Sequence, residues 1–239
     1  MQRGAILRQP VRRAEQLWAS DRSLTALLVL LIALMFFVRP LAALGYDVAP
    51  LGSSLFTLAL LSGVIAVTHT PTTRMAVGAV ALLTVAIHWM RYTVYATPLI
   101  EGAATVTACG MLAAIVFAQV FRPGPITLHR IQGAVAGYLM IAILFANIFI
   151  CIDLYTPGAF SGALGAPDML EHRDAMLGYF SLTTLTTVGY GDIVPVHPFA
   201  RSLAMLEALV GQIFPAILLA RLVSLETAEQ VHRRHDADH

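Results

Sequence analysis

The sequence predicts an all-α membrane protein with six transmembrane helices, and three observations support this prediction. First, 58% of the 239 residues are hydrophobic and the mean hydropathy is +0.75. Second, only 12% of the residues are charged, whereas soluble domains carry about 25%. Third, the chain contains six apolar runs of about 20 residues, the length that a helix needs to cross a hydrocarbon core of about 30 Å.

The six predicted spans also fit a single topology. They are Leu24–Leu44, Leu51–Thr68, Met75–Trp89, Leu99–Phe121, Ile131–Leu154 and Phe199–Ser224. Five arginines precede the first span and place the N-terminus in the cytoplasm, so six crossings return the C-terminus there. On this topology 11 of the 15 basic residues lie in cytoplasmic segments, in agreement with the positive-inside rule.

The pattern of spans and breaks divides the chain into five predicted parts. Residues 1–23 form a basic cytoplasmic N-terminal segment, and residues 24–121 form a four-helix transmembrane domain. Residues 122–130 form a cytoplasmic linker, because Arg122-Pro123-Gly124-Pro125 must interrupt a helix. Residues 131–224 form a second, two-helix transmembrane domain, and residues 225–239 form a short cytoplasmic tail.

The most informative stretch is Thr186–Asp192, read as TTVGYGD, which lies between spans five and six. A short amphipathic run from Asp174 to Leu185 precedes it and predicts a helix with Asp174 as its N-cap. Glycine at positions 189 and 191 permits positive φ at little steric cost. An extended segment with such residues can turn successive carbonyl oxygens toward one line, which ordinary residues resist.

This stretch resembles the selectivity filter of the potassium channel family. The resemblance covers residues 126–224 and implies an outer helix, a turret, a re-entrant pore helix, the filter and an inner helix, so that residues 131–224 form a pore domain. It implies K⁺ sites built from filter carbonyl oxygens and the Thr187 hydroxyl. The implied filter residues are Thr187, Val188, Gly189, Tyr190 and Gly191. One copy supplies a quarter of such a filter, so the resemblance requires a homotetramer.

Several neighbouring residues are expected to support the filter. The resemblance places Tyr179 and Phe180 where the family keeps aromatic residues that brace the filter tyrosine, here Tyr190; ordinary membrane packing is the alternative role. Asp192 would ring the outer mouth with carboxylates and concentrate cations there. The other predicted supporting residues are Thr183, Thr184, Thr186 and Glu207.

Glu207 is the one carboxylate deep in a predicted span, and such residues are functional candidates because charge is costly in lipid. We expect it to form a hydrogen bond behind the filter, to Thr183 or Thr184. It serves there either as a structural brace or in gating of the filter.

Two inner-helix residues are predicted to act in gating. Gly211 follows Gly189 at the spacing of the gating-hinge glycine in related channels, and Pro215 should kink the helix nearby. The gate itself would lie around Leu219–Val223. The alternative is that both residues only allow close helix packing.

The chain departs from voltage-gated members of the family. Its fourth span, Leu99–Phe121, contains no arginine, so the usual voltage sensor is absent and the opening stimulus is not specified. Apart from K⁺ as the permeant ion, no cofactor is expected. The expected partners are a lipid bilayer, in the bacterial inner membrane, and further copies of the chain. The net charge of +1 argues against nucleic acid.

Two rival classes remain open at this stage. One is a non-conducting or ion-coupled membrane transport subunit that uses a channel-like pore loop. The other is an intramembrane enzyme in which a serine of Gly52-Ser53-Ser54 pairs with His69 or His88. The enzyme is disfavoured because nothing orients the histidine and a serine near a helix start is usually a cap.

Overall fold

A computed structural model describes residues 23–44, 46, 48–67, 71–90, 98–121, 128–165 and 173–237. The predicted N-terminal segment, the helix-breaking motif of the linker and most of the second half of the turret lie outside these residues. So does the proposed Ser–His pair, since His69 and the side chain of His88 are not described. The described part of the chain is overwhelmingly helical.

Each predicted span corresponds to a helix. The helices are α1 (residues 23–43), α2 (Ala49–Val67), α3 (Pro71–Met90), α4 (Pro98–Val120), α5 (Leu128–Tyr155), α6 (Arg173–Leu185) and α7 (Pro198–Ala237). Two short strands, β1 (Phe160–Gly162) and β2 (Ile193–Pro195), complete the elements. Helix α7 extends beyond the predicted end at Ser224, through the segment that was expected to be a separate tail.

Three helical segments in the described residues are long and apolar enough to cross a membrane: Ser23–Ala42, Arg130–Tyr155 and Pro198–Arg221. The uninterrupted apolar stretches of α2, α3 and α4 are shorter, at Pro50–Val64, Gly78–Ile87 and Gly102–Ala118. The chain is therefore an all-α integral membrane protein, and the count of six spans stays a prediction.

Helix α1 contains a π-helical turn at Leu34–Val38, directly before Pro40. The backbone N–H of Arg39 donates to the carbonyl of Leu34, five residues earlier. In an ordinary helix the ring of Pro40 would meet the carbonyl four residues before it. The wider turn fits a single π-bulge and lets the helix continue through the proline.

The described residues form two compact units, and the division between them falls inside α5, after Met140. In the first unit, glycines let the helices approach closely. A Cβ on Gly63 would lie 2.9 Å from the side chain of Leu112, and one on Gly137 would lie 2.7 Å from Phe117. Hydroxyl groups in this apolar unit are satisfied by carbonyl oxygens; for example, Ser62 donates to the carbonyl of Ser23 at 2.8 Å.

The second unit contains the remainder of α5, the strand pair, α6 and α7. Strands β1 and β2 pair antiparallel, with Phe160 opposite Pro195 and Gly162 opposite Ile193. The segment connecting α5 to α6 is thereby joined to the segment that follows TTVGYGD. This strand pair was not predicted, and it fixes the outer end of the functional stretch.

Candidate ion-conduction site

Helix α6 ends where the functional stretch begins. It runs from Arg173 to Leu185, so Asp174 lies in its first turn and is not the N-cap that the sequence suggested. Its carboxylate still lies near the partly positive helix end, where negative charge is favourable. Arg173 forms an ion pair with Asp153 of α5, with Nε and Oδ2 2.9 Å apart. This pair ties the start of α6 to α5.

In the backbone after α6, the sign of φ alternates from one residue to the next. Thr187, Gly189 and Gly191 have φ of 60°, 51° and 80°, while Val188 and Tyr190 between them are not in the positive-φ region. In a regular strand, successive carbonyls point to opposite sides. Changing the sign of φ at every second residue removes that alternation, so the carbonyls can line one side. Thr187 is β-branched, and its φ is strained by about 1–3 kcal/mol.

The N–H groups of this stretch turn back onto the end of α6. Thr187 donates to the carbonyl of Thr184 at 3.0 Å, and Val188 and Gly189 both donate to the carbonyl of Thr183, at 2.9 and 3.2 Å. These bonds satisfy carbonyls that a helix end leaves unpaired. Among the described residues, no backbone N–H bonds to the carbonyls of residues 187–191. The N–H groups of Thr187, Val188 and Gly189 are therefore occupied, while the carbonyls of this stretch are left for another partner.

The three predicted supporting threonines lie at the junction of α6 and the filter stretch. The Thr183 hydroxyl donates to the carbonyl of Phe180 at 3.0 Å, and the Thr186 hydroxyl donates to that of Leu182 at 2.7 Å. Thr184 contributes its carbonyl, as described above. The hydroxyls of Thr183 and Thr186 therefore hold the helix end itself.

Tyr179 and Tyr190 are brought together. Their rings stack with centroids 6.2 Å apart and planes within 5° of parallel. The pKa of Tyr179 is raised by desolvation, then by a hydrogen bond to Asp192 and by the negative charge of that carboxylate. Asp192 itself is exposed, as a residue at an outer mouth should be. Tyr179 thus lies beside both the aromatic ring and the carboxylate that flank Gly191.

The contacts of Phe180 differ from the prediction. Its ring packs edge-to-face against Phe149 of α5 and Phe160 of β1, with centroids 5.2 and 5.4 Å away, and Phe149 and Phe160 also contact each other. Adjacent helical residues point about 100° apart, so Tyr179 and Phe180 cannot both face Tyr190 from the same helix. Within the described chain, Phe180 belongs to the core that holds α6 against α5.

The partner of Glu207 is also different from the one predicted. Glu207 is fully buried, and its Oε1 lies 2.5 Å from the hydroxyl of Ser181, not against Thr183 or Thr184. Ser181 belongs to the buried stripe of α6 together with Leu177 and Leu185, at helical spacing. The period of that stripe is the sequence signal that identifies Ser181.

Gly211 lies against the last residue of α6. A Cβ on Gly211 would lie 1.8 Å from the carbonyl oxygen of Leu185, so no side chain fits there. The packing alternative considered for this glycine is thus present in the structure, whereas the hinge role stays a prediction. Pro215 lies inside α7, which continues through it, and its role in gating also stays a prediction.

The structure adds two contacts that sequence reasoning missed. Gln212 donates from Nε2 to the hydroxyl of Thr187 at 2.9 Å, so α7 contacts the beginning of TTVGYGD directly. At the other end, the N–H of Ala163 donates to the carbonyl of Asp192 at 2.9 Å. Gly162 beside it has φ +92°, and a Cβ there would lie 2.1 Å from that carbonyl. Both ends of TTVGYGD are therefore anchored.

The chemistry available at this site is that of oxygen ligands. Carbonyl and hydroxyl oxygens are the groups that replace the hydration shell of a cation in a selectivity filter. In the described residues, no cluster of three or more His, Cys, Asp or Glu side chains could hold a metal ion. A row of backbone oxygens on a fixed loop can coordinate a monovalent cation, provided that further copies complete the ring.

Comparisons with known proteins agree with this geometry. The family model described as "Ion channel" matches residues 174–228. Protein LctB of Geobacillus stearothermophilus is 32% identical over 127 residues, which cover 51% of this chain and 91% of that protein. The inward rectifier potassium channel Kirbac3.1 of Paramagnetospirillum magnetotacticum is 32% identical over 84 residues, or 34% of this chain and 24% of that one.

A plant relative agrees over a similar region. The two pore potassium channel c of Oryza sativa subsp. japonica is 35% identical over 91 residues, covering 37% of this chain and 19% of that protein. No solved structure matches the chain. With the matched pore region, the anchored filter loop and the membrane-spanning helices together, the chain belongs to the potassium channel family.

Proposed function

We propose that this ion channel is selective for K⁺ and conducts it passively, as a homotetramer, across the membrane. The observation that carries the proposal is the alternation of positive φ at Thr187, Gly189 and Gly191. Together with the N–H groups of Thr187, Val188 and Gly189 turned back onto α6, it leaves a row of carbonyl oxygens that accept no backbone N–H among the described residues. Such oxygens substitute for the water shell of K⁺. The sites would be formed by Thr187, Val188, Gly189 and Tyr190.

The tetramer is supported by what a single chain leaves uncovered. Val188 and Tyr190 are 53% and 72% exposed, and the filter carbonyls have no partner among the described backbone donors. Irregular backbone at membrane depth is tolerated only where protein buries it or where it lines a water-filled cavity. Only 11% of an 18-residue apolar window within Pro198–Arg221 is buried within the chain. Copies arranged around an axis would cover both surfaces.

The proposal also covers the permeant ion, the membrane and the opening stimulus. K⁺ acts as the permeant ion, no cofactor is involved, and the protein is not an enzyme. It lies in a bacterial inner membrane with both termini in the cytoplasm, as the arginine distribution favours. It opens in response to a stimulus other than the movement of sensor arginines, because α4 carries none.

The reversal potential of the purified protein in a planar bilayer tests the proposal. With K⁺ on one side and Na⁺ on the other, we expect reversal near the K⁺ equilibrium potential. Gly191→Ala should abolish this selectivity, because φ of 80° is unfavourable for a side chain. Gly158→Ala is the matched control: it has φ of 83° and open space around it, but lies outside the filter.

The outcomes separate the candidate functions. Robust current that reverses at zero would show that the filter does not select K⁺. Absence of current in a verified tetramer, under voltage, pH and lipid variation, would favour the non-conducting transport subunit. Dependence of K⁺ movement on a second ion gradient would favour the ion-coupled transporter. A monomeric protein in native membrane lipid would contradict the tetramer.

A further inference from the structure

Ser181 lies between two oxygen atoms that compete for one hydrogen. Its hydroxyl oxygen is 2.7 Å from the carbonyl oxygen of Ala142 in α5 and 2.5 Å from Oε1 of Glu207 in α7. Ser181 and Glu207 are both fully buried. The three groups therefore form one chain of contacts that links α5, α6 and α7 behind the filter.

Counting hydrogens decides which group donates. A serine hydroxyl carries one hydrogen, and the Ala142 carbonyl carries none. If Glu207 were ionised, two oxygen–oxygen contacts would share one hydrogen, and one contact would be repulsive. If Glu207 carries a proton, it donates to Ser181 and Ser181 donates to Ala142. Each contact then has its own hydrogen: the 2.7 Å contact with Ala142 has the usual O–H···O length, and the 2.5 Å contact with Glu207 is shorter.

The surroundings agree with a neutral acid. The second carboxyl oxygen, Oε2, is buried and has no hydrogen-bond partner. A carboxylate with one oxygen left without a donor would be costly in such a site, whereas a neutral carboxyl group leaves only a carbonyl oxygen unpaired. Arg173, at the beginning of α6, forms its ion pair with Asp153. Among the described residues, no ion pair to Glu207 is found.

One turn beyond the Glu207–Ser181 contact, α6 and α7 touch again, directly beside TTVGYGD. Four residues after Ser181 is Leu185, and four residues after Glu207 is Gly211, whose Cα lies directly against the Leu185 carbonyl. Leu185 immediately precedes TTVGYGD. The Glu207–Ser181 bond and the Gly211–Leu185 contact thus lie in register on the same two helix faces.

We propose that Glu207 is held as a neutral, protonated acid that donates to Ser181 and acts as a positioning residue for the filter. It joins the inner helix to the pore helix and, through Ser181, to the Ala142 carbonyl of the outer helix. Its role in selectivity rests on the proposed function, whereas its protonation and its structural link do not.

Infrared difference spectroscopy of the full-length protein in lipid tests the protonation. The spectrum of wild type minus Glu207→Gln at neutral pH should contain the C=O stretch of a protonated carboxyl group. Solvent-exposed carboxylates do not contribute to this band, because they are ionised at neutral pH. A difference spectrum that contains carboxylate bands in its place overturns the proposal.

Substitutions test the positioning role. Glu207→Leu, which cannot donate, should raise the Na⁺/K⁺ permeability ratio about tenfold, equal to about 1.4 kcal/mol. Glu207→Gln, whose amide can donate to Ser181, should recover most of the selectivity. Ser181→Ala should lower Tm, whereas Ser54→Ala, which loses an exposed bond to the Pro50 carbonyl, should leave it unchanged.

The results distinguish this proposal from the proposed function. If wild-type protein carries no K⁺-selective current, the proposed function fails, while the infrared band and the Tm comparison still decide the state of Glu207. If Glu207→Leu keeps both the selectivity and the Tm of wild type, Glu207 is not a positioning residue.

Discussion

Tyr179 and Tyr190 stack with their ring planes within 5° of parallel and their ring centroids 6.2 Å apart. One ring belongs to helix α6 and the other to TTVGYGD, so the stack links a regular element to an irregular one. Aromatic pairs contribute about 0.5–1.5 kcal/mol beyond the burial of their area. The filter tyrosine is therefore held by its own chain.

Removing that stack should loosen the filter. We expect Tyr179→Ala to raise the Na⁺/K⁺ permeability ratio and to lower stability by about 1 kcal/mol, while Tyr179→Phe keeps the stack and most of the selectivity. The reversal potential and thermal unfolding measure the two effects. Equal behaviour of the two variants would mean that the ring does not brace Tyr190.

The hydroxyl of Tyr179 should respond to alkaline pH. Its pKa is raised by desolvation and by Asp192, so the folded protein holds this proton more tightly than the unfolded chain. The resulting stability is fully present below the unfolded pKa of about 10 and is lost as pH rises through the folded value. Asp192→Asn should lower the pH at which tyrosinate absorbance appears. An unchanged titration would exclude the Tyr179–Asp192 interaction.

The ion pair between Asp153 and Arg173 joins a buried carboxylate to a partly exposed guanidinium group. The Asp153 side chain is 7% exposed and that of Arg173 is 22% exposed. Arg173→Gln should destabilise the fold by about 3 kcal/mol, because it leaves a buried carboxylate unpaired. The double variant with Asp153→Asn should recover most of the loss. A double-mutant cycle of unfolding in detergent measures the coupling, and a coupling near zero would contradict this account.

Gly162 and Gly158 offer a matched pair outside the filter. Both have positive φ, but only at Gly162 would a Cβ collide, 2.1 Å from the Asp192 carbonyl. Gly158→Ala should cost about 1–2 kcal/mol from its backbone alone. Gly162→Ala should cost more and should also reduce selectivity, because it displaces the outer end of the filter. Comparable effects on reversal potential would show that the strand pair does not hold that end.

A substitution at Gly211 can distinguish a packing role of this glycine from a hinge role. Gly211→Ala places a methyl group against the Leu185 carbonyl, so we expect lower selectivity along with lower stability. Gly78→Ala, in a helix with open space around it, should be neutral or slightly stabilising. Single-channel recordings supply the decisive measurement. A Gly211→Ala channel with altered open probability and unaltered selectivity would favour the hinge.

The sequence was sufficient to locate the helices around TTVGYGD and the positive-φ glycines within it, because their signals are local. The glycine positions of TTVGYGD, the run before them and the apolar lengths of the helices can each be read within a few residues. The positive φ at Gly189 and Gly191 and the helix ending at Leu185 agree with that reading.

Tertiary partners could not be read in the same way. Phe180 faces Phe149 and Phe160, which lie about 20–30 residues away along the chain, and this choice depends on how the helices rotate about their axes. Proximity to TTVGYGD predicts Thr183 or Thr184 as the partner of Glu207, but among the three hydroxyl residues only Ser181 lies on the buried stripe of α6. The pairing of β1 with β2 joins two three-residue segments, which are too short for an alternating pattern.

Helix α5 has a consequence for any attempt to recombine this protein with others. Its first half packs within the first unit, where Gln132 bonds to Thr25 at 2.6 Å and Gly137 lies against Phe117, while its second half contributes Ala142 and Phe149 to the other unit. A chimera joined in the linker before α5 would transplant the part of the first unit's core that α5 supplies along with the second unit. A crossover inside α5, after Met140, would instead leave each of these contacts within its own unit.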